Sequence, residues 1–453
     1  MGTISLRQAA QWCGGRVSPK YEEVTFLGAN NDTRKLEAGQ LFVALKGERD
    51  GHDFIDAALE KGAAAVLCEH CDGDYPAIVV PDVRIALGEI AKGERERIGM
   101  KVVGVTGSVG KSTTKEMIAA VLQTTYRVGK TPVNHNNDIG MPMAILSMKE
   151  DTQVAVLEMG MNHFREIAYL SSIAKPDLAV IINIGTMHIE HLGSREGILQ
   201  AKLEILEGMP DNGKIILNGD DSLLWSQSEN LANRAVFFGA DNPMCHICGN
   251  NVRQELGVLH FDAQWDQTAV GIDLELEGMH YVHDALAAVA VAIQLNVTTE
   301  KIRESLSCFR NMAGRQEIYE KNGYTVIQDC YNAGPESMAA ALAVLGNKPG
   351  RRIAVLGEML ELGARTAAEH YKVGRIAAEK ADVMLAYGPN SVSMLNGALT
   401  GGMTKNTARA FTDKDRMIRA LKQLAKPGDV LLFKGSRGMR MEQVLEGFFT
   451  EET

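Results

Sequence analysis

One stretch near residue 105 most constrains what this chain can fold into. The β-branched, apolar run Val102–Thr106 predicts a buried strand, and a glycine-rich turn follows it. From Lys111 onwards the apolar residues recur at helical spacing, which predicts a helix that begins directly after the turn. This order brings backbone N–H groups and a helix N-terminus to one place, which suits a polyphosphate. The stretch therefore predicts a phosphate-binding loop at the end of a buried strand.

The loop, Thr106-Gly-Ser-Val-Gly-Lys-Ser-Thr113, is a variant of the usual phosphate-loop pattern. That pattern has a first glycine five residues before Gly110, but Val105 stands there and the preceding glycine comes one residue too early. The remaining glycines let N–H groups approach an anion, while Lys111 supplies a positive charge and Ser112 a hydroxyl for Mg²⁺. A glycine-rich turn before an ordinary helix is disfavoured, because strand, Lys-Ser pair and helix are all in register. The candidate nucleotide-binding residues here are Thr106, Gly107, Ser108, Val109, Gly110, Lys111, Ser112 and Thr113.

Length and composition are those of a soluble protein with several domains. At 453 residues the chain has room for about three domains, and 45% of its residues are hydrophobic and 23% charged. No apolar run is long enough to span a membrane and the N-terminus lacks a signal-peptide core, so we expect a cytoplasmic protein without membrane insertion. A net charge of −10 and a pI near 5.7 argue against nucleic acid as a partner.

Two Cys-x-x-Cys pairs raise the question of a zinc site. Cys68 and Cys71 form one pair, and Cys245 and Cys248 form the other. The pairs lie much farther apart in the sequence than the ligands of a zinc ribbon, so we expect reduced thiols and no metal shared between them.

The segment 1–97 is expected to form a small α/β domain. Two polar clusters interrupt its apolar runs, Asn31–Arg34 and Gly47–Asp53. Loops that combine Asp, Thr, Arg, Gly and His can bind a ligand, but such loops are as often surface turns. The residue pattern leaves both alternatives open.

The segment 98–312 is expected to form a central parallel-sheet domain that carries the phosphate loop. Two further predicted strands lead to Glu158 and to the Asn183–His188 run. Polar residues at the carboxyl ends of parallel strands are where such sheets bind ligands, so Glu158 is a natural Mg²⁺ ligand, unless it is an ordinary surface acid. His188 is a plausible ligand that a structural role could equally explain, and Lys202 ordinarily reads as a solvated helix residue.

The segment 313–453 returns to strand–helix alternation without a phosphate loop of its own, which predicts a doubly wound, Rossmann-like domain. Its predicted strands also end in polar runs, at Asp329–Asn332, Gly357–Gly363 and Lys434–Arg437. A nucleotide domain between two other α/β domains suggests that ATP couples two further substrates, with the last domain closing over the site.

In their order along the chain these motifs resemble the Mur ligases, the ATP-dependent amino-acid ligases of peptidoglycan synthesis. The resemblance covers all three predicted domains. It rests on Thr106–Lys115, Asn134–Pro142, Glu158, His188, Ala201–Glu204, Gly278–His280, Gly314-Arg315 and Asp329. Within the family, the stretches Glu190–Glu196, Tyr331–Met338 and Gly357–Gly363 resemble the member that uses D-alanyl-D-alanine.

The resemblance implies an ATP-dependent ligase that joins D-alanyl-D-alanine to UDP-N-acetylmuramoyl-tripeptide through an acyl phosphate. Its product would be the UDP-MurNAc-pentapeptide precursor of peptidoglycan, which links the protein to cell-wall biogenesis, cell shape and cell division. The first domain would bind the UDP moiety, and the last would bind the dipeptide and close on ATP. Nothing in the sequence demands an oligomer, and we expect a monomer.

The resemblance also implies roles for single residues. Lys111 and the loop amides would hold the β- and γ-phosphates, with Ser112 and Glu158 taking one Mg²⁺. His188 and Lys202 would serve a second, Lys202 as a carbamate. The remaining implied contacts are Asn137, Arg315 and Asp329 for the nucleotide, Asn332, Glu358 and Arg437 for the dipeptide, and Thr33, Arg34, Asp50 and His52 for the UDP moiety.

The chain departs from the family before its alanine-rich helix. Tyr281 and Asp284 stand where the family usually has asparagine, and the residue at 284 is the usual adenine contact. An ionised aspartate accepts hydrogen bonds but cannot donate one, so we expect a differently arranged adenine contact at Asp284.

Two alternatives remain beside this function. One is an ATP-dependent amide ligase of the same architecture with a different amine or acid. The other is a nucleotide-binding switch or motor ATPase, which would not explain the polar strand ends of the last domain.

Overall fold

The computed structural model describes residues 3–450, so the extreme ends of the first and last predicted domains lie outside the described residues. The predicted fold class is confirmed: the chain is an α/β protein with three domains. Within the described range, no helix is both long and apolar enough to cross a membrane.

The first domain contains a small parallel sheet with strand order β3-β4-β5-β6, and an antiparallel pair of β1 and β2. Helix α3 is capped at both ends: Asp82 accepts from two backbone N–H groups at its start, and Gly99, with φ of 68°, ends it. The elements are β1 (Ile4–Ser5), α1 (Leu6–Cys13), β2 (Thr25–Phe26), β3 (Ala29–Asn30), β4 (Leu41–Val43), α2 (Ile55–Glu60), β5 (Ala65–Cys68), β6 (Ala77–Val79) and α3 (Val83–Ile98).

The central domain is built on a nine-stranded sheet with strand order β15-β14-β13-β12-β11-β10-β7-β9-β8. The strands from β8 to β13 are parallel, and β13, β14 and β15 form an antiparallel extension. Its elements are β7 (Lys101–Thr106), α4 (Lys111–Gln123), β8 (Val128–Lys130), α5 (Gly140–Leu146), β9 (Val154–Glu158), α6 (Glu166–Ala174), β10 (Leu178–Ile181), α7 (Ile189–Leu192), α8 (Arg195–Leu203), β11 (Lys214–Asn218), α9 (Ser222–Trp225), β12 (Ala235–Gly239), β13 (Ile247–Glu255), β14 (Val258–Trp265), β15 (Thr268–Leu274), α10 (His280–Gln294) and α11 (Thr299–Ser307).

The last domain has a six-stranded sheet with strand order β16-β17-β21-β18-β19-β20, parallel except for the β16–β17 hairpin. Its elements are β16 (Glu317–Lys321), β17 (Tyr324–Asp329), α12 (Pro335–Gly346), β18 (Arg352–Gly357), α13 (Thr366–Lys380), β19 (Val383–Tyr387), α14 (Ser391–Thr400), β20 (Ala408–Phe411), α15 (Lys414–Leu424), β21 (Val430–Lys434) and α16 (Glu442–Phe449).

The apolar cores explain how the domains are held. One continuous cluster joins buried residues of the first domain to one face of the central sheet, so these two domains share a core. The other face of the central sheet is covered by α4 and α10. Helix α10 is buried along most of its length, and its many alanines let it pack closely. The last domain has separate clusters on the two faces of its own sheet.

The structure adds elements that the sequence did not predict, namely β16, β20 and α14 in the last domain. Strand β16 carries the partly charged sequence Glu-Ile-Tyr-Glu-Lys and is stabilised by pairing with β17, so its own pattern is weak. Helix α8, which carries Lys202, ends at Leu203, and a short 3₁₀ segment, Glu204–Gly208, continues it.

Candidate active site

The phosphate loop leaves the carboxyl end of β7 and ends at the first turn of α4. Gly110, the N-cap of α4, has φ of 87°, a left-handed conformation that favours glycine, and no side chain caps the helix there. A Cβ at this position would also lie 2.7 Å from Asp284 Oδ1. The first N–H groups of α4 are therefore free to bind an anion.

Asn183, directly beyond β10, fixes the shape of the loop. Its Oδ1 accepts hydrogen bonds from the backbone N–H groups of Ser108 (3.0 Å) and Val109 (2.9 Å), and its Nδ2 donates to the Val109 carbonyl at 2.9 Å. The Ser108 hydroxyl in turn accepts from the Gly185 N–H at 2.9 Å. The end of the neighbouring strand thus holds the loop in place.

Two cations lie at the loop. Lys111 Nζ donates to the Gly107 carbonyl at 2.8 Å, and Arg315, from the connection to the last domain, donates to Ser112 Oγ at 3.3 Å. Burial lowers the pKa of Lys111, the charge of Glu158 opposes this shift, and Arg315 adds to it. An anionic ligand would relieve the repulsion between the two cations.

Glu158, the last residue of β9, presents one unsatisfied oxygen. Its Oε1 accepts from Asn136 Nδ2 at 2.8 Å, and its backbone N–H donates to Thr131 Oγ1 at 2.9 Å. Its Oε2 is buried without a hydrogen-bond partner among the described residues. A buried carboxylate oxygen without a partner is stabilised when a cation or a hydrogen-bond donor of a ligand binds it.

A fully buried lysine lies close to the Glu158 carboxylate. Lys115 Nζ donates to the Thr131 carbonyl at 2.7 Å and lies 3.2 Å from Glu116 Oε1 and 3.9 Å from Glu158 Oε2. Lysine is rarely buried unless it is paired, so Lys115 joins α4 to the end of β9.

His188 and Lys202 occupy different surroundings. His188 has φ of 61°, and its Nδ1 lies 2.5 Å from Glu361 Oε2 of the last domain. The nearby His188 is the main cause that lowers the pKa of Glu361. Lys202 is buried and does not line the cavity described below. Burial lowers the pKa of Lys202 well below its ordinary value, and the charge of Lys111 lowers it further.

The last domain contributes an aromatic ring and an ion pair. The Arg315 guanidinium lies 3.5 Å from the centroid of the Tyr331 ring. Lys434 Nζ donates to Asp329 Oδ2 at 2.5 Å and to the Asn332 carbonyl at 3.1 Å. Asp329 ends β17 and Lys434 ends β21, so this ion pair lies at the carboxyl edge of the sheet.

These groups meet in one cavity of about 430 Å³ between the central and last domains. A smaller cavity of about 120 Å³ adjoins it, lined by His188, Asn332 and Arg437 among others. The predicted site residues that line the larger cavity are Ser108, Val109, Gly110, Lys111, Ser112, Thr113, Asn137, Glu158, His188, Asp284, Arg315, Asp329 and Asn332.

Several predicted residues are absent from the larger cavity. Glu358 is buried, and its Oε1 accepts a 2.7 Å hydrogen bond from the Asn390 backbone N–H, so its carboxylate serves the fold. Arg437 is largely exposed and donates to Glu442 Oε1 at 3.0 Å. Thr106 and Gly107 do not line it either, although Lys111 bonds the Gly107 carbonyl.

The predicted UDP contacts, Thr33, Arg34, Asp50 and His52, all lie in the first domain away from both cavities. Arg34 is paired with Asp32 at 2.8 Å. His52 uses both ring nitrogens, since Nδ1 lies 2.7 Å from Asp50 Oδ1 and Nε2 accepts from the Glu69 N–H at 2.9 Å. The His52 ring is therefore already bonded within the first domain, and the contact of these four residues with the UDP moiety stays a prediction.

Among the residues of the site that were not predicted are Tyr281, Tyr331, Lys115, Asn136, Asn183 and Lys434. The last three belong to polar runs that the sequence had marked at strand ends or in the Asn-rich loop. Nothing in those runs indicated which member would contact Glu158, the loop or Asp329. Lys115 ends the Thr106–Lys115 stretch on which the resemblance rests, but no role was predicted for it, because a lysine in a predicted helix is ordinarily solvated.

Comparison with known proteins gives family matches along most of the chain. Residues 23–95 match the Mur ligase family, catalytic domain; residues 105–292 match the Mur ligase middle domain; residues 314–437 match the Mur ligase, glutamate ligase domain.

Full-length relatives agree with these matches. The chain is 40% identical to the UDP-N-acetylmuramoyl-tripeptide–D-alanyl-D-alanine ligase of Bacillus subtilis, over 96% of this chain and 95% of the relative. It is 37% identical to the ligase of that name from Escherichia coli, over 98% of each chain.

Solved structures give the same result. The fold matches a crystal structure of MurF from Acinetobacter baumannii with a TM-score of 0.91 and 31% identity, over 99% of each chain. It also matches MurF ligase from Thermotoga maritima in complex with ADP, with a TM-score of 0.82 and 30% identity, over 93% of this chain and 97% of the other. From its phosphate loop to its last sheet, this chain belongs to the Mur ligase family.

Proposed function

We propose that this protein is the ATP-dependent ligase that joins D-alanyl-D-alanine to UDP-N-acetylmuramoyl-tripeptide. The relatives with the same full-length architecture carry the name of this activity. The observation that carries the proposal is the single cavity in which the phosphate loop and Glu158 face Asp329, Asn332 and Lys434 of the last domain. We also propose that the protein is cytoplasmic and acts as a monomer.

The first chemical step is phosphoryl transfer. A carboxylate oxygen of the tripeptide attacks the γ-phosphorus of ATP, the bond to the bridging oxygen breaks, and ADP leaves behind an acyl phosphate. Such a reaction depends on alignment and charge neutralisation more than on covalent help from the protein. Lys111, Arg315 and the N–H groups at the start of α4 supply positive charge where the phosphates would lie.

The residues at the loop fit a divalent cation. Glu158 Oε2 is buried without a hydrogen-bond partner in residues 3–450, and the Ser112 hydroxyl and His188 ring line the same cavity. The carboxylate of Glu158 and the hydroxyl of Ser112 supply oxygen donors, which suit Mg²⁺, and His188 offers a ring nitrogen. Ser112 and Glu158 would hold one ion, and His188 and Lys202 would serve a second. Bound Mg²⁺ neutralises charge on the phosphoryl oxygens and orients them.

A carbamate on Lys202 would give the second ion an anionic partner. Carbamate formation joins a neutral amine to CO₂ with release of a proton. The burial of Lys202 favours the neutral amine, because it lowers the pKa of that group. The proximity of the Lys111 charge also favours an anion at this position.

The second chemical step forms the amide. The amine of D-alanyl-D-alanine attacks the acyl carbon, the carbon–oxygen bond to phosphate breaks, and the nitrogen loses a proton. The smaller cavity beside His188 and Asn332 provides space for the dipeptide next to the phosphate loop. We assign the UDP moiety to the first domain (1–97) and ATP to the central domain (98–312). Dipeptide binding is assigned to the last domain (313–453).

Phosphate release with purified protein tests the proposal. ATP and UDP-MurNAc-tripeptide are supplied with and without D-alanyl-D-alanine, and the amide product is identified by mass. Phosphate release that requires the dipeptide, with a matching pentapeptide mass, is the expected result. Equal phosphate release without any amine would favour a simple ATPase. Product with another amine alone would favour a ligase of different specificity.

A further inference from the structure

The first turn of α10 contains a tyrosine whose function the proposed mechanism leaves unassigned. Tyr281 is only 3% exposed and lines the larger cavity. Its ring lies beside that of His280, with the centroids 4.1 Å apart. A buried tyrosine needs a partner for its hydroxyl, and that partner indicates what the residue does.

The partner of Tyr281 is the connection between the central and last domains. Asn311 Nδ2 donates to Tyr281 Oη at 2.6 Å and also to the Arg315 backbone carbonyl at 2.5 Å. Asn311 Oδ1 accepts from the Met312 N–H at 3.0 Å, and the Arg315 N–H donates to the Met312 carbonyl at 3.1 Å. The amide of Asn311 therefore closes a turn over 311–315, and Tyr281 attaches that turn to α10.

The far end of this turn reaches the phosphate loop. The Arg315 guanidinium donates to Ser112 Oγ at 3.3 Å and lies over the Tyr331 ring at 3.5 Å. The turn between α11 and β16 has no helix or strand of its own to hold it. The hydrogen bonds of Asn311 to Tyr281 and to the Arg315 carbonyl are thus among the contacts that fix the Arg315 backbone, beside the bond of Gln316 to the Glu277 carbonyl.

We propose that Tyr281 is a positioning residue for ATP: its hydroxyl holds Asn311, and through Asn311 it orients Arg315 toward the phosphates. Holding the arginine in place beforehand reduces the conformational entropy that nucleotide binding would otherwise cost. This inference rests on the proposed function only in taking ATP as the nucleotide. It deepens that proposal by adding a residue that acts through Arg315 without touching the reacting atoms.

Calorimetric titration of the full chain with ATP and Mg²⁺ tests the inference. Tyr281→Phe keeps the ring and removes only the hydroxyl, and Asn311→Ala removes the same connection from the other side. Each change is expected to weaken ATP binding by about three- to tenfold, the range that loss of one hydrogen bond allows. In an Arg315→Ala background, Tyr281→Phe should cause no further loss, since the residue through which it acts is gone.

Tyr126→Phe is the matched control. Tyr126 Oη donates to the Leu295 carbonyl at 2.6 Å, in the same domain but outside the cavity. That variant should lose some thermal stability and keep its affinity for ATP. The inference is overturned if Tyr281→Phe lowers the melting temperature without changing ATP affinity, or if it weakens binding equally in the Arg315→Ala background.

The titration needs neither the tripeptide nor the dipeptide, so it is independent of ligation. A wild-type chain that binds ATP but makes no amide would refute the proposed function and leave the role of Tyr281 to be decided by the double-variant comparison.

Discussion

Asp284 Oδ1 accepts a 2.7 Å hydrogen bond from Thr114 Oγ1, which joins the alanine-rich α10 to the helix of the phosphate loop. Burial raises the pKa of Asp284 to about 7, and the hydroxyl of Thr114 and the charge of His283 only partly oppose it. Near neutral pH the side chain is thus a mixture of carboxylate and carboxylic acid. The acid can donate a hydrogen bond as well as accept one, which an ionised aspartate cannot.

Replacing Asp284 should change how stability depends on pH. The pKa of this group is 3.8 ordinarily and about 7 in the fold, so between these values the folded protein binds more protons than the unfolded chain. Stability contributed by Asp284 is therefore full below its ordinary pKa of 3.8 and is lost as pH rises through about 7, by roughly 4 kcal/mol in total. Asp284→Asn removes this loss, so its melting temperature should exceed that of wild type more at pH 8 than at pH 5.

Asp273→Asn is the control for that measurement, because Asp273 is an exposed partner of His260 on the antiparallel extension. Parallel pH profiles of melting temperature for Asp284→Asn and wild type would contradict the buried, partly protonated state.

The phosphate loop could be predicted from the sequence because its information is local. Val102–Thr106, the glycines and the Lys-Ser pair lie in one continuous stretch, and because the glycines follow the strand in the chain they lie at the carboxyl end of β7. Glu158 and His188 could be predicted for a related reason, since each follows a readable strand and parallel strands end at the same edge.

The other contacts of the site could not be predicted, because they join residues that are distant in the sequence. Lys434 and Arg437 belong to one polar run, and only the register of β21 beside β17 shows that Lys434 meets Asp329. Arg437 lies beyond that strand, at the smaller cavity, and donates to Glu442. The sequence likewise left the Asp50–His52 turn open between a ligand loop and a surface turn. The structure adds that His52 Nε2 accepts from the Glu69 N–H, a contact that sequence spacing does not indicate.

Glu158→Gln should abolish most of the activity while leaving the fold intact. The amide keeps the size of the side chain and can still accept from Asn136, but it removes the charge that a divalent cation needs. We expect kcat to fall by about a hundredfold or more, as for loss of a group that stabilises transferred charge. The dependence of rate on Mg²⁺ concentration should shift to higher concentrations.

Glu116→Gln is the matched control for Glu158→Gln, since Glu116 also lies near Lys115 but does not line the cavity. A Glu116→Gln variant that lost as much activity as Glu158→Gln would show that the charge balance around Lys115 is what matters, and would argue against Glu158 as a metal ligand.

Lys202→Ala should lose activity that an external carboxylate partly restores. If Lys202 carries a carbamate, its alanine variant lacks an anion next to the second ion, and a short-chain carboxylate can diffuse into the space. Lys202→Glu should retain more activity than Lys202→Ala for the same reason. Phosphate release measured with increasing acetate or formate checks this, with Lys214→Ala as the control, a partly buried lysine outside the cavity. Full activity of Lys202→Ala would remove the carbamate from the mechanism.

Glu361→Gln should impair closure of the last domain on the site without lowering the melting temperature. Glu361 pairs with His188 across the two domains at 2.5 Å, while Glu207 pairs with Arg165 inside the central domain at 2.6 Å, and the two glutamates are similarly exposed at 49% and 47%. Contacts of half-exposed carboxylates such as these contribute at most about 1 kcal/mol, so both glutamine variants should melt close to wild type. Only the pair of Glu361 holds a candidate catalytic histidine toward the last domain. Glu361→Gln should therefore raise the KM for D-alanyl-D-alanine or lower kcat by about three- to fivefold, and Glu207→Gln should change neither. Equal kinetic effects of the two substitutions would mean that the contact of Glu361 with His188 has no part in closing the site.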